Sequence, residues 1–253
     1  MRNLQKKKHQ ITEEAEQVSE VLIKIKKFFN KTLFLMLVFL FMNNINTTPV
    51  NYNLIVQPTF EQLYVIDLKT KMKTLLVSEV RNYINEIAPN STLTPTYLVD
   101  KCTEYNTDII FVLAQGVLES HFGTQGRATK TNSVWNVGAY DNGKNLYSYK
   151  TQDESLEPYL KLINEEYLIS VTSKGDTIYK NINHLVQDRG YINYRGSRFA
   201  TARGYENALR KFIIDIDMQT SINFYQEILT LSDEQLLAYF NPMINENLYA
   251  QQK

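Results

Sequence analysis

The chain has 253 residues, 43% of them hydrophobic, with 27 basic and 27 acidic side chains. That length and apolar share suit one packed domain with extensions, and a formal charge of zero removes the basic footprint of a nucleic-acid binder. A single cysteine, Cys102, excludes an internal disulfide; with no partner for His121 at metal-ligand spacing and no glycine-rich phosphate loop, neither a metal nor another cofactor is expected.

Residues 1–31 place Ile11, Ala15, Val18, Val21, Leu22, Ile25, Phe28 and Phe29 at helical spacing. Glu13, Glu14 and Glu16 stand near the start and Lys24, Lys26 and Lys27 near the end, as a helix dipole prefers. Leu33 to Met42 is then unbroken apolar sequence, short of the roughly 20 residues of a full bilayer span. Residues 32–45 read as an uncleaved signal anchor, with a buried helix of a soluble protein as the alternative. Seven lysines (Lys6, Lys7, Lys8, Lys24, Lys26, Lys27 and Lys31) precede the run, and no lysine or arginine follows before Lys69. That asymmetry leaves the amino end in the cytoplasm and sends the rest outside, with membrane attachment through residues 32–45. Residues 46–69 read as a tether, polar in its first part.

The stripe Met72, Leu75, Leu76, Val80, Tyr83, Ile84 and Ile87 predicts a helix over 70–88, ended by Pro89 and Asn90. Thr94-Pro95 opens another, across Tyr97 to Tyr105. The third is nearly all apolar: Ile109, Ile110, Phe111, Val112, Leu113, Val117 and Leu118 leave almost no polar face, so it has to be buried. Thr107 or Asp108 can cap its start, and Gly123 offers a left-handed stop. Glu119 stands at the carboxyl end of this helix. Desolvation and the negative end of the dipole both disfavour its charged form. A carboxyl kept protonated near neutral pH suits a general acid in glycoside cleavage; the plainer alternative is an acid emerging into water. Asp100, Glu104 and Asp108 read as solvated or capping.

Residues 134–150 carry few helix cues and read as a short hairpin turning at Asp141-Asn142-Gly143-Lys144. Thr151 to Glu154 fits a capping box, which gives Glu154 a structural task. Helices are expected at 176–189 and 203–217, with Gly190 and Gly196 turning the chain around Tyr191 and Tyr194. Residues 218–253 hold two more amphipathic pieces, the second opened by Ser232 to Gln235. No internal repeat is present.

Ala114-Gln115 through Glu119-Ser120, then Gly123-Thr124, then Asn136-Val137-Gly138, and last the run from Phe199 to Gly204-Tyr205 form an ordered set. Over roughly residues 95–215 this set resembles the glucosaminidase family of peptidoglycan hydrolases, of the lysozyme-like superfamily. The resemblance implies a mainly α, lysozyme-like bilobed helical domain over residues 70–217, with the short β-hairpin lobe facing the Glu119 helix. To this the sequence adds the N-terminal hydrophobic anchor helix and, from residue 218, a helical extension. The implied activity is cleavage of the β-1,4 bond on the reducing side of N-acetylglucosamine in peptidoglycan.

On that reading Glu119, Asp141 and Tyr205 are the catalytic candidates, with Tyr205 singled out by its place in the closing motif. Glycosidases commonly set two carboxylates across the scissile bond, and Asp141 on the hairpin is the second one available; Asp-Asn-Gly is equally a turn sequence. Gln115, Trp135, Asn136, Gly138, Tyr140 and Tyr191 are the candidate substrate-binding residues. The aromatic ones offer sugar-stacking faces, and Asn136 and Gly138 offer sugar contacts or simply a tight turn. Ser120 lacks a recognisable histidine–acid pair and is not read as a nucleophile. Two alternatives stay open: a lytic transglycosylase of the same fold, whose usual Gly-Leu-Met-Gln segment is absent here, and a non-catalytic wall-binding or assembly protein. The expected place is the outer face of a cytoplasmic membrane, or a phage particle.

Overall fold

Helices dominate the computed structural model, which describes residues 59–138, 147–171 and 176–240. In chain order they are α1 (Phe60–Ile87), α2 (Pro95–Glu104), α3 (Ile109–Ser120) and the single turn α4 (Ala128–Thr131). A 3-10 turn (Asp153–Ser155) leads into α5 (Leu156–Leu162), which runs on as a π turn over Ile163–Tyr167. Strands β1 (Ile169–Val171) and β2 (Thr177–Tyr179) pair antiparallel, with Ser170 opposite Ile178. The short α6 (Ile182–Leu185), α7 (Tyr205–Gln219), α8 (Ile222–Thr230) and α9 (residues 233–240) complete the order.

These elements form two units, Thr70–Thr230 and a second that joins the start of α1, through Lys69, to the residues from Leu231 onward. In the second unit Ser232 and Gln235 cap α9 reciprocally, and Lys69 Nζ lies 2.6 Å from Asp233 Oδ1. The first unit extends beyond the expected boundary at 217. Its α8 is integral: Gln226 accepts the Ile109 N–H at the head of α3, at 3.0 Å, and the Ser221 N–H reaches Glu79 on α1.

The core is built around α3. Every residue from Ile109 to Val117 is buried, as its lack of a polar face requires. Asp108 supplies the cap, accepting the Phe111 N–H at 2.8 Å, so two of the orphan amides at that end have side-chain partners. α3 packs most extensively on α7, and also on α2 and α8. On another side Trp135 lies against it, donating its indole N–H to Val112 O at 3.0 Å and stacking on Tyr159. Each large apolar side chain buried in this way contributes about 1.5 to 3 kcal/mol.

Several expectations need correction. Residues 60–69, expected within the tether, are helical; Thr59 and Gln62 form a capping box that starts α1 there. Among the described residues the sheet lies at 169–179, and residues 134–138 and 147–150 of the expected hairpin form turns and unpaired chain. Asn132 ties the returning segment down through Tyr149 O and Lys150 O. The helix expected over 176–189 gives way to β2 and α6. Thr177, Ile178 and Tyr179 favour a strand, and Asn181 caps the chain to start a helix only at Ile182. The expected anchor at residues 32–45 and the hairpin turn at 141–144 lie outside the described residues. Among the described residues no helix is long and apolar enough to cross a membrane.

The end of α3 also departs from a simple glycine stop. His121, Phe122 and Gly123 are all left-handed, with φ of 47°, 52° and 80°. Two non-glycine residues there cost about 1 to 2 kcal/mol each. Two contacts offset the cost: the Phe122 ring is fully buried against Gly116, and the Gly123 N–H is accepted by Ser120 Oγ at 2.8 Å. Ser120 Oγ in turn donates to Val134 O at 2.7 Å. A Cβ on Gly123 would stand 2.3 Å from Gln152 Nε2, and Gln152 is held by Thr92 N and Ser91 Oγ. Gly123→Ala should therefore cost about 2 to 4 kcal/mol, whereas Gly126→Ala, left-handed but in open space, should cost only about 1 kcal/mol. Chemical denaturation of both variants checks this; equal losses would mean that backbone strain alone decides.

Candidate active site

Glu119 occupies the last turn of α3, half-buried, where the apolar helix reaches the surface. Its two carboxyl oxygens have different partners. Tyr205 Oη donates to Oε1 at 2.5 Å, and Asn136 Nδ2 donates to Oε2 at 3.1 Å. The same Asn136 amide donates to the Glu119 backbone carbonyl at 2.9 Å, which fixes the last turn and its side chain together. Asn136 is left-handed (φ 51°), a conformation that asparagine tolerates, so it makes the turn and also serves the carboxyl.

Burial pushes the Glu119 carboxyl above its ordinary range; the bonds from Tyr205 and Asn136 pull the other way but do not cancel it. Among the described residues no second carboxylate contributes to that shift. The result is a carboxyl whose proton affinity is raised by desolvation while its anion has two donors waiting. That combination suits proton donation to a leaving oxygen.

Tyr205 is the first residue of α7, delivered by left-handed Gly204. Its ring leans on Tyr191 and Phe199, which are stacked at 4.6 Å. Burial and the neighbouring Glu119 charge hold its phenol well above the usual tyrosine range, so it stays a donor. The next residue, Glu206, is buried and takes Arg198 Nη2 on both oxygens, at 2.9 and 3.1 Å. This pair anchors the start of α7 to the segment carrying Phe199.

Residues 96–218 match the family model Glucosaminidase, described as mannosyl-glycoprotein endo-beta-N-acetylglucosaminidase. They form a glucosaminidase-family domain. No match was found among curated proteins. The matched span runs from α2 to α7 and encloses Gln115, Glu119, Asn136 and Tyr205. The family is one of glycoside hydrolases acting on peptidoglycan.

Within the glucosaminidase domain the other expected site residues fall into three groups. Trp135, Tyr191 and Gln115 are fully buried, which leaves no face for a sugar. Trp135 and Tyr191 are core aromatics, and Gln115 is an interior polar group. Gly138 is left-handed beneath the half-exposed Tyr147, whose ring would lie 2.2 Å from an added Cβ. Tyr140 and Asp141 lie outside the described residues. Ser120 spends its hydroxyl on Gly123 and Val134, a structural use. Sequence reading missed Tyr159, which donates to Gln115 Oε1 at 2.6 Å, and the Arg198–Glu206 pair. A tyrosine on an apolar helix stripe and an acid in a first turn carry no local sign of either role.

Asn136→Gly keeps the left-handed turn and removes the donor to Oε2. The Glu119 pKa should then rise further, because the lost bond favoured the anion, while the melting temperature changes little. Carboxyl titration by NMR measures the shift; an unchanged value would reduce Asn136 to a turn residue.

Proposed function

We propose that this chain is an endo-β-N-acetylglucosaminidase that cleaves peptidoglycan glycan strands, with Glu119 as the general acid. The supporting observation is the half-buried Glu119 carboxyl with raised proton affinity, held at Oε1 by Tyr205 and at Oε2 by Asn136. Glu119 protonates the glycosidic oxygen as its bond to the anomeric carbon of N-acetylglucosamine breaks, and a water adds to that carbon and gives up the proton that restores the acid. The carboxylate left behind is stabilised by its two donors, and Tyr205 keeps its own proton throughout.

The acid must be protonated to act. Activity is therefore retained at pH below the raised Glu119 pKa and lost as pH rises through it. Digestion of purified peptidoglycan by the full-length chain, with masses read on the products, tests the reading. Reducing N-acetylglucosamine ends are expected, and Glu119→Gln should lose about a thousandfold or more of that activity without unfolding. Products ending in 1,6-anhydro-muramic acid would make the enzyme a lytic transglycosylase. An active Glu119→Gln would remove Glu119 from the mechanism.

The wall substrate also agrees with display outside the cytoplasm, for which the lysine asymmetry around residues 32–45 is the support. In a Gram-negative host the full-length chain should sediment with membranes, and protease should reach the domain from the outer face alone. Recovery in the soluble cytoplasmic fraction would overturn the anchor.

A further inference from the structure

Three phenols converge on one buried amide. Gln115 is fully buried on α3, four residues and thus one turn before Glu119. Its Oε1 accepts from Tyr159 Oη at 2.6 Å and from Tyr191 Oη at 2.8 Å, both from fully buried rings. Its Nε2 donates to Tyr205 Oη at 3.2 Å, and Tyr205 donates onward to Glu119 Oε1.

An amide oxygen has two lone pairs, and here both are filled. Turning the amide over would aim N–H groups at the two phenols that now donate to it, and buried phenol protons need acceptors. The orientation is therefore fixed by Tyr159 and Tyr191. With Nε2 facing Tyr205, the Tyr205 oxygen accepts from Gln115, and its one proton is directed to Glu119 Oε1. Were the amide reversed, Tyr205 would donate to Gln115 instead. Glu119 would then place its own proton on Oε1, against Tyr205 and away from any substrate.

We propose that Gln115 is a positioning residue that sets the proton geometry of the acid: held by Tyr159 and Tyr191, it polarises the Tyr205 hydroxyl toward Glu119 Oε1 and confines the transferable proton to Oε2. This inference rests on the reading of Glu119 as the general acid. It gives the buried Gln115, which touches no substrate, a place in the reaction. It also explains why three tyrosines, rather than phenylalanines, surround it in an otherwise apolar core.

The test compares full-length variants on peptidoglycan. Gln115→Met alone would leave two buried phenols without an acceptor and is at risk of misfolding. In the triple variant Gln115→Met/Tyr159→Phe/Tyr191→Phe all members of the inner network become apolar at similar volume, which keeps the core satisfied. Glu119, Asn136 and Tyr205 are all retained. The expected result is a folded protein whose kcat falls by about tenfold at unchanged KM. The alkaline limb of its pH profile should move upward, because a Tyr205 hydroxyl no longer polarised by the Gln115 amide stabilises the carboxylate less. Tyr205→Phe sets the reference and should move the limb in the same direction. The double variant Tyr159→Phe/Tyr191→Phe, which keeps Gln115 but frees it to turn, should show a smaller shift of the same sign. A folded triple variant with wild-type kcat and an unmoved limb would overturn the role of Gln115. If Glu119→Gln is inactive in the same assay, that failure belongs to this inference alone; if Glu119→Gln is active, it is the general-acid reading that fails.

Discussion

Tyr205 and Asn136 donate hydrogen bonds into a carboxyl that the core behind it has largely stripped of water. The surrounding elements are arranged so that both donors stay in reach. α3 must be buried for its apolar faces, and that burial brings the Glu119 carboxyl out of bulk solvent. A group so placed needs partners, and they come from opposite directions: a left-handed turn at Asn136 on one side and the first residue of α7 on the other. The Arg198–Glu206 pair and the stack of Tyr191 on Phe199 are then understandable as supports for the Tyr205 end. The three left-handed residues after Ser120 support the other end. They turn the chain back so that Val134, Trp135 and Asn136 pass beside the helix that carries the acid.

Stability and chemistry pull against each other at this point. The apolar core gains from a helix with no polar side, but a helix-end acid held above its ordinary proton affinity is a cost at neutral pH. The domain meets it with donors rather than with a counter-charge. Among the described residues no basic group contributes to the Glu119 shift. A cation would favour the anion strongly and remove the proton that acid catalysis uses. Neutral donors stabilise the anion less, leaving desolvation in command.

How much of this was legible depended on the range of the cause. α2, α3 and α7 follow from local signals, namely apolar spacing, the proline start at Pro95 and the Asp108 cap. The start of α1 was equally local, in Thr59 and Gln62, but lay inside a stretch judged by composition. The sheet at 169–179 was not anticipated, because β2 offers only three strand-favouring residues. Glu119, Asn136 and Tyr205 were singled out by their order along the chain, and the fold brings them into contact. Gln115 was singled out the same way and is enclosed by phenols, since nothing local distinguishes an amide facing sugar from a buried one. Trp135 and Tyr191 failed for a related reason. In a chain with 17 tyrosines, which aromatic faces water is decided by tertiary packing.

The burial of Trp135 has a practical side. It is the only tryptophan in the chain, it sits at zero exposure, and it stacks at 5.1 Å on Tyr159, whose hydroxyl belongs to the Gln115 network. Indole emission from this protein therefore originates at one place, beside the helix that carries the acid. A dry indole emits at shorter wavelength than a wetted one, so a red shift reports loosening of that core and of nothing else. The molecule thus carries an intrinsic optical probe of its own active-site scaffold, usable in the unmodified chain.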